Sequence, residues 1–145
     1  MNATMEKFGY PATLVKEYEH WVVLLRPVQV TAGSLVLCAK SDATAYGDLP
    51  PAAFAEQSVV IAEVEAMLKR CVDYEKINYL MLMMVDPHVH FHVFPRYGGA
   101  RSLAGTSMED AGWPGPPDLK SGTAGDDRWT EIAVRVLRSG QELGS

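Results

Sequence analysis

The densest chemistry in the chain is the run His88-Val89-His90-Phe91-His92-Val93-Phe94-Pro95-Arg96, which holds three of the four histidines. Side chains alternate along a strand, so His88, His90 and His92 would share one face while Val89, Phe91 and Val93 anchor the other to a core. Same-face imidazoles then stand roughly 6–7 Å apart, twice the rise per residue. That spacing suits several donors converging on one anionic group. An imidazole with a pKa near about 6.5 also keeps a neutral, nucleophilic nitrogen at neutral pH. A lone histidine such as His20 reads as a satisfied structural residue; three at strict period two do not. A His-x-His pair on a strand can also chelate zinc or iron. The next acidic residue, however, is Glu109, beyond a glycine-rich stretch, so a His-ligated metalloenzyme is the lesser reading and no metal or cofactor is expected.

The elements that must position these residues follow from pattern. Residues 1–19 read as an irregular segment or short helix. His20 to Arg26 is β-rich and closed by Pro27, and Ser34 to Ala39 reads as a second strand, antiparallel to the first because the link is short. Pro50-Pro51 opens a helix that runs from Ala52 to about Val72. Val60, Ile61, Val64, Met67, Leu68 and Cys71 lie on its inner face, with Glu65 and Lys69 as an i,i+4 pair. Ile77 to Val85 is apolar at nearly every position, predicting a strand covered on both faces with its methionines as core filler. Asp86-Pro87 turns into a strand over Val89–Phe94, ended by Pro95, so that residues 88–94 form a central antiparallel strand beside 77–85. Residues 97–126 are rich in glycine, proline and serine and read as a functional or poorly ordered loop. A C-terminal helix over about 127–139 turns Trp129, Ile132, Ala133 and Val136 inward.

Composition sets the outer bounds. The 145 residues suit a single domain, 1–145, and the hydrophobic share of 48% is enough to build a core without disulfides. Cys38 and Cys71 accordingly read as buried free thiols. A net charge of −5 argues against a general nucleic-acid binder, although a local positive pocket for a small anion is compatible with it. No apolar run is long enough to span a bilayer and no N-terminal signal is visible, so the expectation is a cytoplasmic protein with no membrane partner.

The string from His88 to Tyr97 resembles the signature of the histidine triad family, including the proline and arginine that follow it. Gly33 to Lys40, Gly47-Asp48-Leu49 and the long helix match the order of strand, loop and helix in that family, so the resemblance covers residues 20–97. It implies an α+β fold, an antiparallel sheet of about five strands with two main helices, commonly paired as a homodimer. It also implies a nucleotide hydrolase or transferase resembling dinucleoside polyphosphate hydrolases. There His90 would attack an α-phosphate to form a nucleotidyl-histidine, without a metal. His92 would contact the phosphate, and His88 would orient the site and assist the leaving group. Substrates of that family include dinucleoside polyphosphates and nucleoside phosphoramidates. Two positions depart from the family's pattern. Met84 lies where a polar side chain often precedes the triad, and Arg26 lies near where an asparagine often meets the ribose; both are candidate substrate-binding positions. The first departure keeps open a nucleotide-binding protein with little turnover. Arg96 reads as structural or as a dimer contact, and Lys40 as a surface lysine. The apolar loop around Trp113 is expected at a dimer interface.

Overall fold

The structure, a computed structural model, describes residues 1–139. Its elements in chain order are α1 (Ala3–Lys7), β1 (Leu14–Glu17), β2 (Trp21–Leu25), β3 (Val28–Gln29), β4 (Leu35–Ala39), α2 (Pro51–Val72), β5 (Lys76–Leu80), β6 (His90–Arg96), β7 (Ala100–Leu103), β8 (Thr106–Glu109), β9 (Thr123–Ala124) and α3 (Asp127–Ser139). Five strands form one antiparallel sheet in the order β1-β2-β4-β6-β5. The fold is therefore α+β, with two main helices, as the family resemblance implies.

Alternation divides each inner strand between two layers. Trp21, Val23 and Leu25 of β2, Leu35 and Leu37 of β4 and Val93 of β6 face a core closed by Val60, Val64 and Leu68 of α2 and by Ala133, Val136 and Leu137 of α3. Val22, Leu24, Val36 and Cys38 face the other way, into a smaller cluster with Met5 and Phe8 of the N-terminal segment. β2 and β4 are buried along their whole length because both faces are covered. Helix α2 begins with proline in its first turn and ends on Asp73 in the left-handed conformation (φ 46°). Among the described residues no helix is long and apolar enough to cross a membrane.

Several sequence expectations change. The strand expected over 77–85 stops at Leu80, whose partner is His92. Met83 then takes a positive φ of 50° and the chain turns away, leaving Met84 82% and Val85 83% exposed. The methionine run is therefore not covered on both faces: β5 is a half-buried edge strand, and only Met81 and Met83 pack partly on the core. Strand β6 starts at His90 and passes through Pro95, which pairs with Ile77. Pro95 lies past the last β4 partner, Val93, so its missing N–H breaks no bond of that ladder.

Residues 1–19 contain not only a short helix but an edge strand, β1, irregular between Leu14 and Lys16. The stretch 97–126 is not structureless either: β7 and β8 form a hairpin, and β9 pairs with β3. The hairpin turns on Ala104-Gly105, both at positive φ, a conformation that Asn-Gly would have announced and alanine conceals. Trp113 is half-buried within its own chain, its Nε1 only 3.0 Å from where a Cβ on Gly98 would stand, which removes it as an argument for dimerisation. Lys69 pairs with Asp73 rather than Glu65, whose carboxylate instead accepts from the Tyr79 hydroxyl. Cys38 is buried, and burial pushes its thiol up to about 12; Cys71 is only half-buried.

Arg96 ties the stretch 97–126 to the sheet. Its Nε donates to Asp110 at 2.6 Å, Nη2 to the other carboxylate oxygen and to the Gly115 carbonyl, and Nη1 to Asn78. Both partners are buried, so the arginine is structural. Removing one half of a buried pair strands the other charge, so Asp110→Ala is expected to lower stability by about 3–5 kcal/mol. Denaturant unfolding checks this; a loss below about 1 kcal/mol would show that solvent re-satisfies Arg96.

Candidate active site

The triad sits where β6 enters the sheet, and the residues before it come from the loop 81–89. His90 and His92 lie on β6 opposite Cys38 and Val36 of β4, with ring centroids 5.1 Å apart and nearly perpendicular. This is tighter than the extended-strand estimate, because the imidazoles lean together. His88 lies outside the strand. Thr4 Oγ1 accepts from its backbone N–H at 3.3 Å and shares a hydrogen with its Nδ1 at 3.1 Å. The third histidine is thus held by α1 rather than by the pleat alone.

The segment that holds it was not singled out by sequence. Asn2 caps α1, accepting from the Met5 N–H, and its amide donates to the carbonyls of Ala39 and Ser41. Lys7 pairs with Asp86 at 2.7 Å. Phe8 packs against both rings, 5.8 Å from His90 and 5.6 Å from His92. The available signal was Asn2 at an N-cap position and an apolar Met5/Phe8 pair at i,i+3 spacing. Five helical residues are too few to stand out by periodicity.

Partners assign the ring protons. His90 Nδ1 lies 2.7 Å from the His88 carbonyl, which can only accept, so Nδ1 carries the hydrogen and Nε2 keeps a lone pair. His92 Nδ1 accepts from Arg26 Nε at 3.2 Å. His90 is only 2% exposed and His92 7%. No buried side-chain nitrogen among the described residues lacks a partner, whereas neither Nε2 has one. What little surface the two rings retain therefore includes their Nε2 atoms. Each of the two neighbouring rings thus keeps an Nε2 that no protein group occupies.

Of the residues singled out by sequence, His88, His90, His92 and Arg26 come together. Met84 does not; it stays at the surface of the loop. Lys40 pairs with Glu17 at 2.8 Å, and the backbone N–H of His20 donates to Glu56. Among the described residues no three His, Cys, Asp or Glu side chains converge as a metal-binding group.

Burial, then the neighbouring Arg26 cation, pushes His92 down to about 4, with His90 and Lys7 adding to the effect and Asp86 opposing it. Unfolded histidine titrates near about 6.5. As pH falls from that value towards 4, the unfolded chain takes up the proton first and stability declines, by at most about 1.4 kcal/mol per pH unit. Urea unfolding at pH 7 and pH 4.5 should show this loss in the wild type and a smaller one in His92→Gln; equal losses would remove His92 as its source.

No family model matches the chain, and no curated protein matches it. Solved structures do. A histidine triad protein from Sinorhizobium meliloti superposes with a TM-score of 0.75 at 20% identity, over 97% of this chain and 96% of that one. A histidine triad protein from Bradyrhizobium japonicum gives 0.73 at 20% identity with the same coverage. A hypothetical histidine triad nucleotide-binding protein from Sulfolobus tokodaii gives 0.70 at 19% identity, over 88% of this chain and 82% of that one. With its five-stranded antiparallel sheet, its two main helices and two histidines side by side on the inner strand, this chain has the fold of the histidine triad proteins.

Proposed function

We propose that the protein is a nucleotide hydrolase or transferase in which His90 is the nucleophile. The observation that carries this reading is the His90 Nδ1 hydrogen bond to the His88 carbonyl, which leaves the lone pair on Nε2. In the first step Nε2 attacks the α-phosphorus of a nucleotide anhydride, ester or phosphoramidate. A P–N bond forms, and the bond to the leaving group breaks with its electron pair departing on that group. Water then attacks the nucleotidyl-histidine, releasing nucleoside monophosphate and restoring His90. Covalent catalysis of this kind divides one difficult displacement into two easier ones. His92 donates to the phosphoryl oxygens, where charge grows in the transition state. In this reading His88, which Thr4 holds through Nδ1, assists the leaving group.

The test is trapping of protein labelled from an α-³²P dinucleoside polyphosphate. His90 is buried against Phe8 and His92, so His90→Gln is a gentler variant than alanine, which would leave a cavity. We expect no label and no turnover in His90→Gln. In His88→Ala and His92→Ala we expect label together with rates reduced about 10²–10⁴-fold. Label persisting in His90→Gln, or mapping to another residue, would overturn the assignment.

A binding protein with little turnover is the second reading, favoured by the loop before the triad, where Met84 and Val85 stay exposed and bring no polar side chain to the histidines. Binding of nucleoside monophosphate without any trapped intermediate would select it. Turnover should also survive exhaustive chelation, since among the described residues no three His, Cys, Asp or Glu side chains are grouped so as to hold an ion. Loss of turnover that zinc alone restores would turn the reading to a metalloenzyme.

We also propose a homodimer, supported by the half-buried edge strand β5 and the exposed Leu82, Met84 and Val85 beyond it. Sedimentation at micromolar concentration should show twice the monomer mass; a monomer alone would refute it.

A further inference from the structure

Arg26 follows β2 directly and is pinned at both ends of its guanidinium. Nη1 donates to the Val28 carbonyl at 2.7 Å, and Nε points at Nδ1 of His92 at 3.2 Å. The group lies over the Phe94 ring at 5.5 Å, and Phe94 in turn stacks with His92, the two planes 4° apart. A guanidinium carries donors only and does not deprotonate in proteins. An imidazole nitrogen facing it can only accept, so the single hydrogen of neutral His92 must reside on Nε2.

We propose that Arg26 is a positioning residue that locks His92 in the Nε2–H tautomer, opposite to that of His90. An anion reaching both rings then meets a lone pair from one and an N–H from the next. Two adjacent histidines with nothing to tell them apart would populate mixtures of tautomers, and only a fraction would be competent at any moment. Here a carbonyl that can only accept sorts one ring, and a cation that can only donate sorts the other.

The surroundings favour the same state. His92 is faced by Arg26 from the end of β2, by His90 on its own strand, by Lys7 and Phe8 from the N-terminal segment and by Asp86 from the loop 81–89. Its register partners are apolar, Val36 on β4 and Leu80 on β5. Lys7 and Asp86 pair with each other, leaving Arg26 as the unpaired charge closest to the ring. A second proton on Nδ1 would break the bond to Nε and set two cations in contact.

Nitrogen-15 spectra of the full-length protein with labelled histidine read the tautomers directly, with assignments from His90→Gln and His92→Gln. At pH 7 we expect the Nδ1–H pattern for His90 and the Nε2–H pattern for His92. In Arg26→Met, His92 should shift to a mixture of tautomers and its titration should move up. In Arg26→Lys, which restores a donor, it should keep the Nε2–H pattern. An Nδ1–H pattern for His92 in the wild type overturns the proposal even if no variant folds, and so does an unchanged His92 in folded Arg26→Met. The catalytic consequence rests on the proposed function. Arg26→Met should still form labelled His90 but turn over about 10²-fold more slowly, with most of the rate recovered in Arg26→Lys. Absence of label in the wild type would sink the functional reading while leaving the tautomer result standing.

Discussion

Strand β6 is paired on both sides, to β4 through Leu35↔Val93 and Cys38↔His90 and to β5 through Leu80↔His92 and Lys76↔Arg96. The site depends on that double pairing. A strand that slips by one residue exchanges its faces, so a slip here would bury the imidazoles in the main core and put Phe91 and Val93 in their place. The aliphatic side chains of the opposite face make such a slip prohibitively costly, because Val93 is fully buried in the core beneath α2. Hydrophobic packing on one side of the sheet thus fixes hydrogen-bonding geometry on the other.

Given fixed ring positions, the remaining question for two neighbouring imidazoles is where their protons sit. The answer comes from groups of a single hydrogen-bonding sense, a backbone carbonyl for His90 and a guanidinium for His92. Both rings are nearly enclosed, so these contacts act in a medium where water competes little. Enclosure also works against a second charge on His92, which stays neutral well below the ordinary histidine range.

The layer that encloses them is slight. Five helical residues and Phe8 cover the histidine face, held by the Asn2 amide, the Thr4 hydroxyl and the Lys7–Asp86 pair. The opposite face carries the two long helices. The main core therefore lies on the side of the sheet away from the histidines. Away from the site, the Arg96–Asp110 pair clips the region after β6 to the sheet edge, so the glycine- and proline-rich stretch is ordered by one buried interaction and two short ladders.

The sequence by itself determined the sheet–helix–sheet order, the inner strands and the shared face of His90 and His92. These depend on local periodicity, and each inner strand carries a full set of apolar partners. It also carried the resemblance that points to nucleotide chemistry, through a run of ten residues. Other features depended on contacts far apart in the chain. Thr4 holds His88 across 84 residues and Arg26 meets His92 across 66, separations over which no pattern of spacing is informative. The end of β5 at Leu80 was hidden because an apolar run signals burial and not where a ladder stops. The β7–β8 hairpin was hidden because its turn uses an alanine at positive φ. Local physics chose which residues could do chemistry, and tertiary packing decided which nitrogen of each ring would carry the hydrogen.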